Sequence, residues 1–213
     1  MAGACGRTYR VDPTIDPAPC NALTQTATGL LVQGVEIEAD PGLTVTAPAP
    51  GDCPQTWRIG VDSSWAQGPW SVAGVHDLNG PDRVYEQITE VATMVIPRAG
   101  VWEVNYAVRG AAILPANTAG GQYVTAALFQ NGAIISGAEV MVVGVTQGAG
   151  TGPSHGAQAT GSNVFMRFFA AGDQVTLHAY RIGQLGTASV INNGDGRTRV
   201  MAHWIGPTGD TPA

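Results

Sequence analysis

Between residues 101 and 108 the side chains alternate, with Trp102, Val104, Tyr106 and Val108 on one side and Val101, Glu103, Asn105 and Ala107 on the other. A period of two is the mark of a β-strand with one buried face and is incompatible with an amphipathic helix. Pro97, Arg98, Ala99 and Gly100 precede it as a turn with both common breakers, after an apolar run at 92–96. Farther on, residues 123–130 and 133–136 flank Asn131-Gly132. Asn-Gly supplies the two positive φ angles of a type I′ hairpin turn. Three further strands are expected at 164–169, 173–180 and 197–205, joined by Ala171-Gly172 and by the turn from Asn192 to Gly196. Gly occurs 29 times and Pro 14 times in 213 residues, which punctuates the chain too often for long helices. The expected class is all-β.

Residues 1–56 differ from the rest. They hold Pro13, Pro17, Pro19, Pro41, Pro48, Pro50 and Pro54, and the three cysteines Cys5, Cys20 and Cys53. Short β-like runs occur at 29–32, 35–38 and 43–46, too little to build a large core. The stretch reads as an extended, Pro-rich attachment arm with short strands. No C-x-x-C pair is present and the count is odd, so free or buried thiols are the plain expectation and a Cys5–Cys20 clip the alternative. Residues 57–83 form a transition in which Trp57, Trp65 and Trp70 fall close together. Three such side chains are expected to contact a neighbouring module, a partner or, alternatively, a glycan. Residues 144–161 are rich in Gly and read as a long loop, and 207–213 as a short tail.

One strand is apolar on both faces. In 164–169, Phe165 and Phe169 share one side while Val164, Met166 and Phe168 share the other. A sheet with one wet face does not look like this. The last strand repeats the pattern, with Met201, His203 and Ile205 opposite its core face. Val164, Phe165, Met166, Phe168, Tyr180, Met201, His203 and Ile205 are therefore the candidates for self-association. Each bulky side chain taken from water contributes roughly 1.5–3 kcal/mol, against the entropy of association.

Several functions lack their chemistry. The formal charge of −6 comes without a run of basic residues, so no nucleic acid is expected as a partner. No apolar stretch approaches ~18 residues, so no membrane helix is expected. The N-terminal residues lack a basic segment followed by an apolar one, so assembly in the cytoplasm is expected rather than secretion. Ser154-His155 is a lone adjacent pair without a G-x-S-x-G elbow. His76-Asp77 reads as a turn, and His178 and His203 as outward-facing strand residues. The 192–196 turn lacks the spacing and terminal Glu of a calcium loop, and the glycines at 148–152 lack the Lys of a phosphate loop. Glu86, Glu90, Glu103 and Glu139 are scattered. No catalytic residue, metal site or cofactor is expected.

Three pieces, in order, resemble one family: 95–102 (VIPRAGVW), 127–132 (ALFQNG) and 169–177 (FAAGDQVTL), followed by a last strand ending Trp204-Ile205-Gly206. Residues 86–206 resemble the trimeric jelly roll of the complement globular-head and tumour-necrosis-factor-like superfamily. The resemblance implies an antiparallel jelly-roll sandwich over 84–206, two packed sheets and a homotrimer. The chain departs from the animal members in lacking a collagen-like stalk. Residues 5–60 are similar in style to tail, fibre and capsid-decorating proteins of phages that infect actinobacteria. That implies a virion protein whose N-terminal arm meets capsid or tail proteins, with the jelly roll as fibre, minor tail head or shell cement, and a host-surface glycan as a further partner.

Overall fold

A computed structural model describes residues 23–26, 29–32, 37–39, 42–47, 49, 57–61, 63–69, 73–150, 152–192 and 194–207, the backbone alone for those between 23 and 32. Every regular element in it is a strand. The chain divides into two compact units, residues 1–39 with 45–58, and residues 40–44 with 59–213.

In the first unit β1 (Leu23–Thr26) and β2 (Gly29–Val32) form an antiparallel hairpin. The run expected at 35–38 lies partly outside the described residues, and 37–39 are not strand. Two short strands follow, β3 (Leu43–Thr46) and β4 (Arg58–Val61). Cys5, Cys20 and Cys53 lie outside the described residues.

The second unit is an antiparallel sandwich of the jelly-roll kind. Its strands are β5 (Trp65–Gly68), β6 (Gly74–Asp77), β7 (Glu86–Gln87), β8 (Met94–Val95), β9 (Gly100–Leu114), β10 (Gly120–Gln130), β11 (Ala133–Gln147), β12 (His155–Phe169), β13 (Gln174–Ile182), β14 (Thr187–Asn192) and β15 (Arg199–Gly206). One sheet runs β11-β10-β13 and ends on β7 and β8. The other is centred on β9. All of β12 pairs along one edge of β9, and β15 and β14 share the other edge, extended outward by β5 and β6. The sandwich thus takes in β5 and β6, from the stretch read as a transition.

Trp102, Val104, Tyr106 and Val108 point inward, as their alternation requires, and meet Val124, Ala126, Leu128, Val175 and Leu177 from the other sheet. Burying such side chains is the main stabilising term of the fold. Asn131 and Gly132 take φ of 51° and 83°, the pair of positive values that a type I′ turn needs.

The long loop expected at 144–161 is largely strand. β11 continues to Gln147 and β12 begins at His155, leaving a short connection. The small residues there serve close approach rather than looseness. A Cβ on Gly161 would stand 3.0 Å from the Val142 Cα and 3.2 Å from the Met141 carbonyl, so glycine lets the edges of the two sheets close on each other. That seam shields two otherwise open strand edges. Residues 92–96 contribute only the two-residue β8, and β14 forms where no strand was expected.

Candidate functional site

The β9-centred sheet presents its second face outward, and strand register decides what stands on it. Trp65, His203, Glu103 and Met166 form one row across β5, β15, β9 and β12. Gln67, Met201, Asn105 and Val164 form the next. Phe168 lies across from Val101, beside the irregularity in β15 that carries Ile205. Trp65 is 65% exposed, Met166 59%, Val164 53%, Ile205 48% and Phe168 41%, so a single chain leaves these side chains wet. The apolar side chains lie in two groups, Val164, Met166 and Phe168 on β12 and Trp65 and Ile205 on β5 and β15, on either side of Glu103 and Asn105 of β9; groups this large are more than scattered surface residues.

The Trp65 group is ordered by its own contacts. The Trp65 ring stacks on His203 at 4.4 Å and 26°, and the Ser63 hydroxyl lies 3.2 Å from His203 Nε2. An open hollow of about 310 Å³, lined in part by Leu43, Val61, His203 and Ile205, adjoins it. Farther along the same face the character turns polar. Arg109 donates from its Nη2 to Gln158 Oε1 at 2.7 Å, and its Nε is buried without a partner.

Two of the self-association candidates stand elsewhere. Phe165 turns inward and packs, partly buried, against the core, because it shares the inward parity of Phe169 on β12. Tyr180 lies on the opposite sheet, on β13. There it meets the edge of Tyr85 at 4.7 Å, while Phe129 touches Tyr85 at 5.2 Å and stacks on His178 at 3.9 Å. The Tyr85 phenol donates to the Glu139 carboxylate. Burial, then that carboxylate, push the phenol well above its ordinary range. Burial also lowers the His178 pKa, so its imidazole favours the neutral form. Nothing in the spacing of Tyr85 and Phe129 signalled this cluster, since β7 is only two residues long. Of the other tryptophans, Trp57 is half-buried in the first unit, and Trp70 lies outside the described residues.

The remaining polar candidates sort simply. Ser154 and His155 are exposed where β12 begins. His76 is a strand residue of β6, not a turn, and lies beside two glutamates that the sequence had left unpaired, Glu86 and Glu90. Asp173 is a turn organiser. Burial works against its ionised form, but the amides of Asn131 and Gln130, the Ala170 N–H and the Arg167 charge outweigh it and hold the carboxyl below its ordinary range. Among the described residues, no three His, Cys, Asp or Glu side chains converge as metal ligands.

No protein-family model matches the sequence, and no curated protein matches it. Among solved structures, the Eiger TNF from S. frugiperda is similar over 71% of this chain and 96% of that one, at 10% identity and a TM-score of 0.35.

Proposed function

We propose that this chain is a non-enzymatic structural protein of a phage particle, assembled as a homotrimer through the outer face of the β9-centred sheet. The observation that supports it is the wet apolar side chains of Val164, Met166 and Phe168 on β12 and of Trp65 and Ile205 on β5 and β15, flanking β9 on one face of that sheet. Identical neighbours would remove them from water. In this reading the sandwich projects as a fibre or minor tail head, and residues 1–56 attach it to capsid or tail proteins. Cementing the shell is the alternative use of the same parts. The particle role rests on the resemblance of residues 5–60 to phage structural proteins. No cofactor, nucleic acid or membrane enters this role, and the protein is assembled in the host cytoplasm.

Light scattering tests the assembly. The expected mass is three times the 21.9 kDa of one chain, and a stable single copy at about 100 μM overturns it, since an interface of even micromolar affinity is then nearly saturated. Gel densitometry of purified particles separates a fibre, present in few copies, from a cement protein, present in many. A particle without this chain removes the virion reading.

One observation favours a second reading, in which the Trp65 end of this face stays uncovered by other copies. Trp65 offers an exposed ring backed by His203, with the Ser63 hydroxyl beside it, a combination suited to stacking a sugar ring on a host-surface glycan. Titration calorimetry of the wild type and Trp65→Ala against actinobacterial cell-wall oligosaccharides tests it. Equal heats from the two proteins remove it.

A further inference from the structure

At one edge of the sandwich a histidine stands between two carboxylates. His76 sits on β6, an edge strand of the β9-centred sheet, and its side chain is 16% exposed. Its Nδ1 lies 2.7 Å from Glu90 Oε2. Its Nε2 lies 3.9 Å from Glu86 Oε2, and Glu86 belongs to β7, an edge strand of the opposite sheet. Each ring nitrogen therefore faces a different carboxylate. That is the wrong geometry for one metal ion, whose ligands must converge, and the right one for a bridge.

We propose that His76 is a proton-operated clamp between the two sheets. A neutral imidazole has one N–H and one bare nitrogen. At 2.7 Å from a carboxylate, Nδ1 must carry the hydrogen, so in the neutral ring Nε2 turns a lone pair toward the second carboxylate. That half of the bridge is unmade. Protonation turns an N–H toward Glu86 and places one positive charge between two negative ones, so the 3.9 Å contact, too long for a hydrogen bond, becomes an ion pair. The clamp then spans from β6 to β7 and fixes the segment 74–90 that runs between them.

Acidic side chains predominate around it. Asp77 follows His76 on its own strand, and β14, which pairs with β6, carries no titratable residue. Arg83, within this segment, pairs with Asp82 at 3.6 Å, and Arg181 is turned to the Gly80 carbonyl at 3.1 Å. The Gly80 amide in turn donates to Glu86 Oε1 at 3.3 Å, which orients that carboxylate. Thr89 donates to Glu90 Oε2 at 3.5 Å.

Amide hydrogen exchange in the full chain tests the clamp. Protection of residues 74–90 is measured at pH 5.5 and pH 8.0, corrected for the intrinsic exchange rate, in the wild type, His76→Gln and Glu86→Gln. The window brackets histidine titration and stays above that of ordinary carboxylates. His178 acts in the opposite sense, because burial disfavours its protonation. The comparison is therefore between wild type and variant at each pH. The ratio of wild-type to His76→Gln protection is expected to rise about two- to fivefold on going from pH 8.0 to 5.5, the size of a partly exposed ion pair, and to shrink in 1 M salt. Glu86→Gln is expected to lose most of that rise and supplies the readout if His76→Gln does not fold. Identical pH dependence in the wild type and the folded variant, or stronger wild-type protection at pH 8.0, overturns the proposal.

Discussion

Val164→Glu is the perturbation that the self-association account can least survive. Val164 is 53% exposed in the single chain and lies across β9 from Asn105, a neutral neighbour. A carboxylate there costs the lone chain little, because it stays in water. In the assembly two losses add. Full burial of a valine contributes roughly 1.5–3 kcal/mol, of which the exposed half, about 1 kcal/mol, remains to be gained on association. Desolvating an unpaired carboxylate costs several kcal/mol more. A total of about 3 kcal/mol or more corresponds to at least a ~100-fold weaker association. Sedimentation velocity over a dilution series reads this directly. The variant should sediment as a single chain at concentrations where the wild type is assembled, with an unchanged thermal transition for the separated chain. A Val164→Glu protein that sediments like the wild type at every dilution refutes the reasoning, because the face would then not be covered.

Three further outcomes follow from the interior. Gly161→Val should lower stability by about 1–3 kcal/mol, since its side chain must displace the β11 backbone at Val142; an unchanged urea midpoint contradicts the closed seam. Gln122 is fully buried with neither amide atom partnered in the protein, so Gln122→Met should raise stability by about 1–2 kcal/mol. A loss of that size would mean a bound water satisfies the amide. His178 is held toward its neutral form by burial. Its contribution to stability is full above about pH 6.5, where the unfolded imidazole is also neutral, and is lost as pH falls toward the lower folded value. His178→Gln should remove that acid-side loss, and denaturation midpoints of both proteins at pH 7.5 and 5.5 check it.

What the sequence made legible was whatever depends on local period or local turn chemistry. The alternation at Trp102, Val104 and Tyr106 marks a one-sided strand, and β9 is that strand. Asn131-Gly132 marks a hairpin, and both residues have positive φ. The double apolar face of 164–169 also carried through, with Phe169 buried and Val164, Met166 and Phe168 exposed. Features set by partners were not legible. Residues 155–161 have weak strand preference of their own, yet they pair residue by residue with β9 from Leu114 to Val108. The Tyr123 ring lies over Gly144, where a Cβ would stand 2.1 Å from it, so a glycine that reads as loop is covered strand. The aromatic group around Tyr85 joins segments distant in the chain, and the contact of His76 with Glu90 closes a loop of fourteen residues between the two sheets. Sheet topology brings their members together, and no spacing announces it.

The central claim is that a neighbouring copy keeps water from the outer face of the β9-centred sheet. Methionine oxidation by dilute peroxide, read peptide by peptide, tests it with internal standards. Met141 is 64% exposed on the other sheet and Met94 is fully buried, while Met166 is 59% exposed in the single chain. The account predicts that in the assembled wild type Met166 reacts as slowly as Met94 while Met141 reacts fast. Met166 keeping pace with Met141 would contradict it.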